Sequence, residues 1–125
     1  MLRCLVRSKI QRLVVTDKNL KYEGSLELDS RLMRAADSLP GELVQVVNVN
    51  TGSRFETYVI AARAGSGARV LNGAAARLGE VGDELIVMTL GWLAESELRQ
   101  HRLTRVSIDR RNRIKNSDRN SPRGG

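Results

Sequence analysis

The sequence predicts a small, mainly β protein: a barrel of short strands with one clear helix. Three observations lead there. Short runs rich in Val, Ile and Leu recur along most of the chain. Turn signals containing Gly, Asn or Asp separate them. One segment, SRLMRAADSL, joins a helical apolar stripe to a start and a stop signal.

Taken in order, LRCLVRSKI and RLVVT read as strands. The stretch around Gly24-Ser25 reads as extended, and SLELD alternates apolar with polar side chains. Asp29 suits a helix N-cap; Leu32, Met33 and Ala36 supply the apolar stripe, and Pro40-Gly41 ends the helix. ELVQVVNV is a strand, Asn50-Thr51-Gly52 a tight turn, and SRFETYVIAA its hairpin partner. Gly65 and Gly67 bracket a loop before the short strand ARVL. NGAAARL predicts one or two helical turns. Val81-Gly82-Asp83 turns into ELIVMTL, which reads as a buried strand, and AESELRQHR has helical composition.

A chain of 125 residues with 41% apolar content supports one domain with a real core. The single cysteine, Cys4, rules out an intramolecular disulfide and suits a reducing cytosol. Arg3, Arg7 and Lys9 interrupt the start of the chain, so no signal-peptide pattern forms there. The run LIVMTLGWLA is too short to span a bilayer. A soluble cytoplasmic protein is the expectation. The net charge is +7, and residues 99–125, with nine basic and two acidic side chains, carry all of it. Residues 1–98 are therefore expected to form the barrel, and 99–125 a basic, disordered tail. Such a tail can touch polyanions, but nucleic acid is not the expected partner.

Familiar catalytic designs are missing. His101 is the only histidine, so the body holds no Ser-His-Asp or Cys-His pair. One Cys and one His do not make a usual zinc site, and no metal is expected. No Walker-type loop occurs. One Phe, two Tyr and one Trp are too few for base-stacking platforms. An enzyme with this inventory needs an electrophile from a cofactor or from its own backbone.

Four stretches, in order and spacing, carry a resemblance: SKIQRLVVTDKNLKYEGSLELD, NVNTGSRFETYVI, VLNGAAARL and VGDELIV. Over residues 1–95 the chain resembles the pyruvoyl-dependent aspartate 1-decarboxylases. The resemblance implies a double-psi β-barrel with short helices, assembled as a homotetramer with active sites between subunits. It implies a proenzyme that cleaves itself between Gly24 and Ser25. The Ser25 hydroxyl attacks the Gly24 carbonyl, and the new amino end at position 25 becomes a pyruvoyl group. That ketone takes the substrate amine as an imine and accepts the electron pair left by CO₂. The implied reaction converts L-aspartate to β-alanine and CO₂ for pantothenate and coenzyme A synthesis.

The same resemblance assigns the site. Thr57 contacts the oxyanion during processing and lines the substrate site. Tyr58 is the proton donor. Lys9 and Arg54 hold the substrate carboxylates, Arg54 with a geometry suited to a bidentate grip. Tyr22 lines the cleft. Asn72, Gly73, Ala74 and Ala75 offer polar groups and close backbone approach. Read alone, these residues have plainer roles: an exposed strand lysine, a turn-flanking arginine, packed tyrosines, and Asn72 as a helix N-cap. Gly24 is expected to help by tolerating backbone conformations other residues resist. Two departures bear on specificity. Gln11 stands where histidine is often found, and Val47 where tryptophan is. Glutamate as substrate, a helper for maturation, and a non-catalytic binding barrel with a nucleic-acid-contacting tail stay open at this point.

Overall fold

Alternation of apolar and polar side chains carries most of the chain into strands, and the way they pair decides where Ser25 sits. The structure, a computed structural model, describes residues 1–109 and 113–120. Its elements are β1 (Leu2–Val14), β2 (Asp17–Asn19), β3 (Ser25–Asp29), α1 (Ser30–Ala35), β4 (Leu43–Asn48), β5 (Arg54–Ala62), β6 (Arg69–Asn72), β7 (Glu84–Ala94), β8 (Leu103–Ile108) and β9 (Ile114–Asn120). Short 3₁₀ turns cover Gly73–Leu78 and Glu95–Glu97.

The strands form one sheet in the order β2-β6-β3-β5-β4-β7-β1-β8-β9. β1 and β2 follow each other in the chain, yet β2 lies at one end of this order and β1 near the other. The sheet must therefore curl onto itself. The seam is visible where Val15 N donates to Asp83 O and Thr16 N to Arg69 O, both at 2.9 Å. β3 runs parallel to β5, β2 to β6 and β1 to β8, and the other pairs are antiparallel. The expected mainly β class holds, and the parallel neighbours are reached by long crossovers. Leu13, Leu26, Leu28, Val44, Val46, Val59, Leu71 and Leu85 fill the interior.

Several elements differ from expectation. The two strands expected before residue 16 are one. β1 carries a register shift between Ile10 and Leu13, where Arg12 adopts φ 61°. The extra residue changes the inward parity from Ser8 and Ile10 to Leu13 and Val15, so the sequence reads as two runs. α1 begins as expected: Asp29 accepts from Arg31 N at 2.9 Å. It stops earlier, at Ala35, because Asp37 turns left-handed (φ 54°) and Ser38 N bonds Met33 O at 2.8 Å. β7 is buried on one face only. After Ala94, which ends β7, AESELRQHR forms no more than a short 3₁₀ turn and hydrogen-bonded turns.

The boundary expected after residue 98 does not fall there. β8 pairs in parallel with β1, and its Val106 and Ile108 lie in the core, 0% and 2% exposed. β9 then pairs with β8. Apolar residues at alternate positions of LTRVSI suffice to seat a strand, although the surrounding charge obscures them. The remainder of the expected tail, 110–112 and 121–125, lies outside the described residues. Among the described residues no helix is long and apolar enough to cross a membrane.

Candidate active site

Ser25 opens β3, between β6 on one side and β5 on the other. Leu26 and Leu28 point inward, so Ser25, Glu27 and Asp29 share the other face. Ser25 is nonetheless fully buried. Its partner in the β3–β6 register is Asn72, itself 1% exposed. Asn72 Nδ2 donates to Ser25 Oγ at 3.2 Å and to Glu27 Oε1 at 3.3 Å. Ser25 Oγ donates to the carbonyl of Glu23 at 3.1 Å. The plain N-cap role of Asn72 does not apply: it precedes the 3₁₀ turn, but its side chain makes no cap hydrogen bond.

Gly73 follows with φ 62°, its backbone pressed against the Gly24-Ser25 approach. A Cβ there would lie 2.5 Å from Gly24 N, 2.6 Å from Gly24 Cα and 2.7 Å from Tyr22 O. Gly24 itself is different. It is not among the positive-φ residues, and a Cβ on it would meet only Ala74 N at 3.9 Å. The expectation that Gly24 supplies an unusual backbone conformation is therefore corrected: the residue that needs glycine is Gly73. Ala74, whose N would lie 3.9 Å from a Cβ on Gly24, is exposed, and Ala75 is buried.

β5 brings the second set. Its register, Leu26↔Val59, continued back one step, sets Tyr58 beside Ser25, with Thr57 the preceding residue of β5. Tyr58 OH donates to Glu23 Oε2 at 3.4 Å. Its phenol is held above the usual value, by partial desolvation first and then by the charge and hydrogen bond of Glu23 and by Tyr22. It therefore keeps its proton at neutral pH. Thr57 is half-buried and faces Val44 across the β4–β5 hairpin. Tyr22 is exposed above Gly73.

The two cations lie elsewhere. Arg54 begins β5, four residues from Tyr58, roughly 13 Å along a strand. It is exposed and pairs in register with Val47, one of the two departures. Lys9 sits on β1, opposite Met88 of β7 and Arg105 of β8, several strands from Ser25. Gln11, the other departure, lies on β1 opposite Ser107. Neither Lys9 nor Arg54 has a hydrogen bond or ion pair among the described residues. By contrast Arg7 is engaged by Asp37 and Glu42, and Lys18 by Glu80. The structure thus brings Tyr22, Gly24, Ser25, Tyr58, Asn72, Gly73 and Ala74 together in one chain, with Thr57 adjacent, and leaves Lys9 and Arg54 apart.

Glu23 and Glu27 were not singled out by sequence. Glu23 lies inside KYEGS, and Glu27 reads as the solvated position of an alternating strand. Only the pairing with Asn72 and Tyr58 gives them partners.

Together these features define a class: small mixed β-barrels presenting a buried serine after an exposed glycine, with an amide donor on its hydroxyl and a tyrosine phenol bonded to the neighbouring Glu23. A family model described as aspartate decarboxylase matches residues 1–115. The chain belongs to the aspartate decarboxylase family. It is 51% identical over 107 residues to the aspartate 1-decarboxylase of Kosmotoga olearia, covering 86% of this chain and 93% of that one. It is 53% identical over 112 residues to that of Heliobacterium modesticaldum, covering 90% and 85%. Among solved structures, the computationally designed msDPBB_sym2 protein aligns with TM-score 0.42 and 20% identity over 70% of this chain and 99% of its own.

Proposed function

We propose that this chain is a pyruvoyl-type carboxy-lyase. It releases the α-carboxylate of L-aspartate as CO₂ and yields β-alanine, which feeds pantothenate and coenzyme A synthesis in the cytoplasm. The observation that carries the reading is the fully buried Ser25, directly after Gly24, with its hydroxyl held by Asn72 and Glu23, in a chain of this family.

Maturation needs Oγ of Ser25 to bond the Gly24 carbonyl carbon while the Gly24–Ser25 C–N bond breaks. The hydroxyl proton ends on the Ser25 nitrogen. Loss of the α-proton then expels Gly24 as a carboxylate, and water replaces nitrogen with oxygen, releasing ammonia. Holding the reacting atoms close is the protein's main contribution, and Thr57 is the donor assigned to the developing oxyanion.

The surroundings fit a small group at position 25: the lack of a side chain at Gly73 lets the backbone of Tyr22 and Gly24 pack against it, and Asn72 offers a donor. A ketone there supplies an electrophile for the substrate amine and a sink for the electrons left by CO₂. Arg54 grips one substrate carboxylate and Lys9 acts as a point charge on another. Tyr58, protonated at neutral pH, returns a proton to carbon. The separation of Lys9 from Ser25 supports a site completed by a second copy, and a homotetramer with shared sites is the assembly we propose.

Intact mass of purified protein, followed by borohydride trapping with aspartate, tests this. Two fragments separating residue 24 from 25, and an aspartate adduct on the second, are expected. Ser25→Ala should stay whole and inactive. An unbroken wild-type chain that still releases CO₂ would overturn the reading. The same assay with glutamate fixes the substrate.

A further inference from the structure

We infer that Glu27 is a positioning residue for chain cleavage: its carboxylate fixes the Asn72 amide so that Ser25 Oγ is left with one free lone pair for the Gly24 carbonyl. This rests on the reading of Ser25 as the precursor residue.

The geometry is a chain of three side chains. One nitrogen, Asn72 Nδ2, reaches both Glu27 Oε1 (3.3 Å) and Ser25 Oγ (3.2 Å). An amide has two faces, a donor NH₂ and an acceptor oxygen, and either can turn toward a hydroxyl. A carboxylate only accepts. With Glu27 beside it, Asn72 must present Nδ2, whose two hydrogens serve Glu27 and Ser25 at once.

The consequence for Ser25 follows by counting. A hydroxyl has one hydrogen and two lone pairs. Asn72 occupies one lone pair. The hydrogen goes to Glu23 O at 3.1 Å, the carbonyl just before the scissile one. One lone pair stays open. Were the amide reversed, its oxygen would attract the hydroxyl hydrogen, and Ser25 would be turned away from Glu23.

Glu27 has no evident structural reason to be acidic. Its register partners are Ile60 on β5 and Val70 on β6, and it forms no ion pair among the described residues. It is half-buried in a strand whose alternate residues are core leucines. A carboxylate in that place is costly unless hydrogen-bonded, and Asn72 is the partner it has.

The test follows the loss of full-length chain after translation is arrested in expressing cells, by intact mass, for wild type, Glu27→Gln and Glu27→Ala. Thermal unfolding of each purified variant is measured alongside. Gln keeps the size and a carbonyl acceptor but adds a donor that tolerates the reversed Asn72. Glu27→Gln should cleave about threefold more slowly and Glu27→Ala about tenfold, the scale of one lost hydrogen bond. Glu27→Gln should melt as wild type does. Cleavage of both variants at the wild-type rate, or slowing that appears only together with lost thermal stability, overturns the inference about Glu27 alone. A wild-type chain that never cleaves sinks the reading of Ser25 and this inference with it.

Discussion

At the scale of single residues, the contacts around position 25 separate groups that react from groups that make room. Gly73 makes room. Its φ is 62° and a Cβ there would lie 2.5 Å from Gly24 N, so there is no place for a methyl group, and the atoms in the way are backbone. Gly73→Ala should therefore lower stability by about 1–3 kcal/mol and stop cleavage, read by thermal melting and intact mass. Gly24→Ala meets only ordinary contact and should fold normally. Arg54 is exposed and has no hydrogen bond or ion pair among the described residues, so removing it costs the fold little. Arg54→Ala should leave cleavage intact while kcat/KM for aspartate falls about 10- to 100-fold, the loss of a charge-assisted contact of about 1.5–3 kcal/mol. Steady-state kinetics on the matured variant checks this.

At the scale of elements, the β3–α1 junction shows one side chain organising three segments. Asp29 is 2% exposed. Its carboxylate accepts from Arg31 N at the start of α1 and from Gly65 N and Gly67 N in the loop before β6. Burial, the largest single influence, raises its pKa. The N–H groups of Arg31, Gly67 and Gly65 and the Arg31 charge outweigh that and hold it below 3.8. A carboxylate depressed in the folded state stabilises fully above its unfolded value and loses that contribution as pH falls through the folded one. Asp29→Ala should thus cost about 1–3 kcal/mol at neutral pH. In urea unfolding across pH, the gap between wild type and variant should narrow below pH 3.8. Asp29 was legible because N-capping is local. The clamp on Gly65 and Gly67 was not, since their place beside Asp29 depends on β3 pairing with β6.

At the scale of the whole molecule, the barrel includes more chain than charge suggests. Ile108 and Val106 complete the interior on the side where β8 meets β1. Ile108→Ala should cost about 2–5 kcal/mol, the usual effect of emptying a buried aliphatic site, measured by chemical unfolding. Deleting residues 99–125 should leave β1 unpaired along that edge and give aggregation instead of a trimmed, stable barrel.

Local patterning determined a good deal of this protein. The period-two runs, the Asn50-Thr51-Gly52 hairpin, the Asp29 cap and the NGAAA turn are interactions between near neighbours, and the chain spells them directly. The quoted stretches around Gly24-Ser25 also carried the family. Tertiary structure alone decided that β1 is a single bulged strand, that β8 belongs to the core, that glycine is required at 73 and not at 24, and that Glu27 reaches Ser25 through Asn72. Each of these depends on strands distant in sequence becoming neighbours in space. Pairing of that kind is set by the global closure of the sheet, which no short window of residues contains.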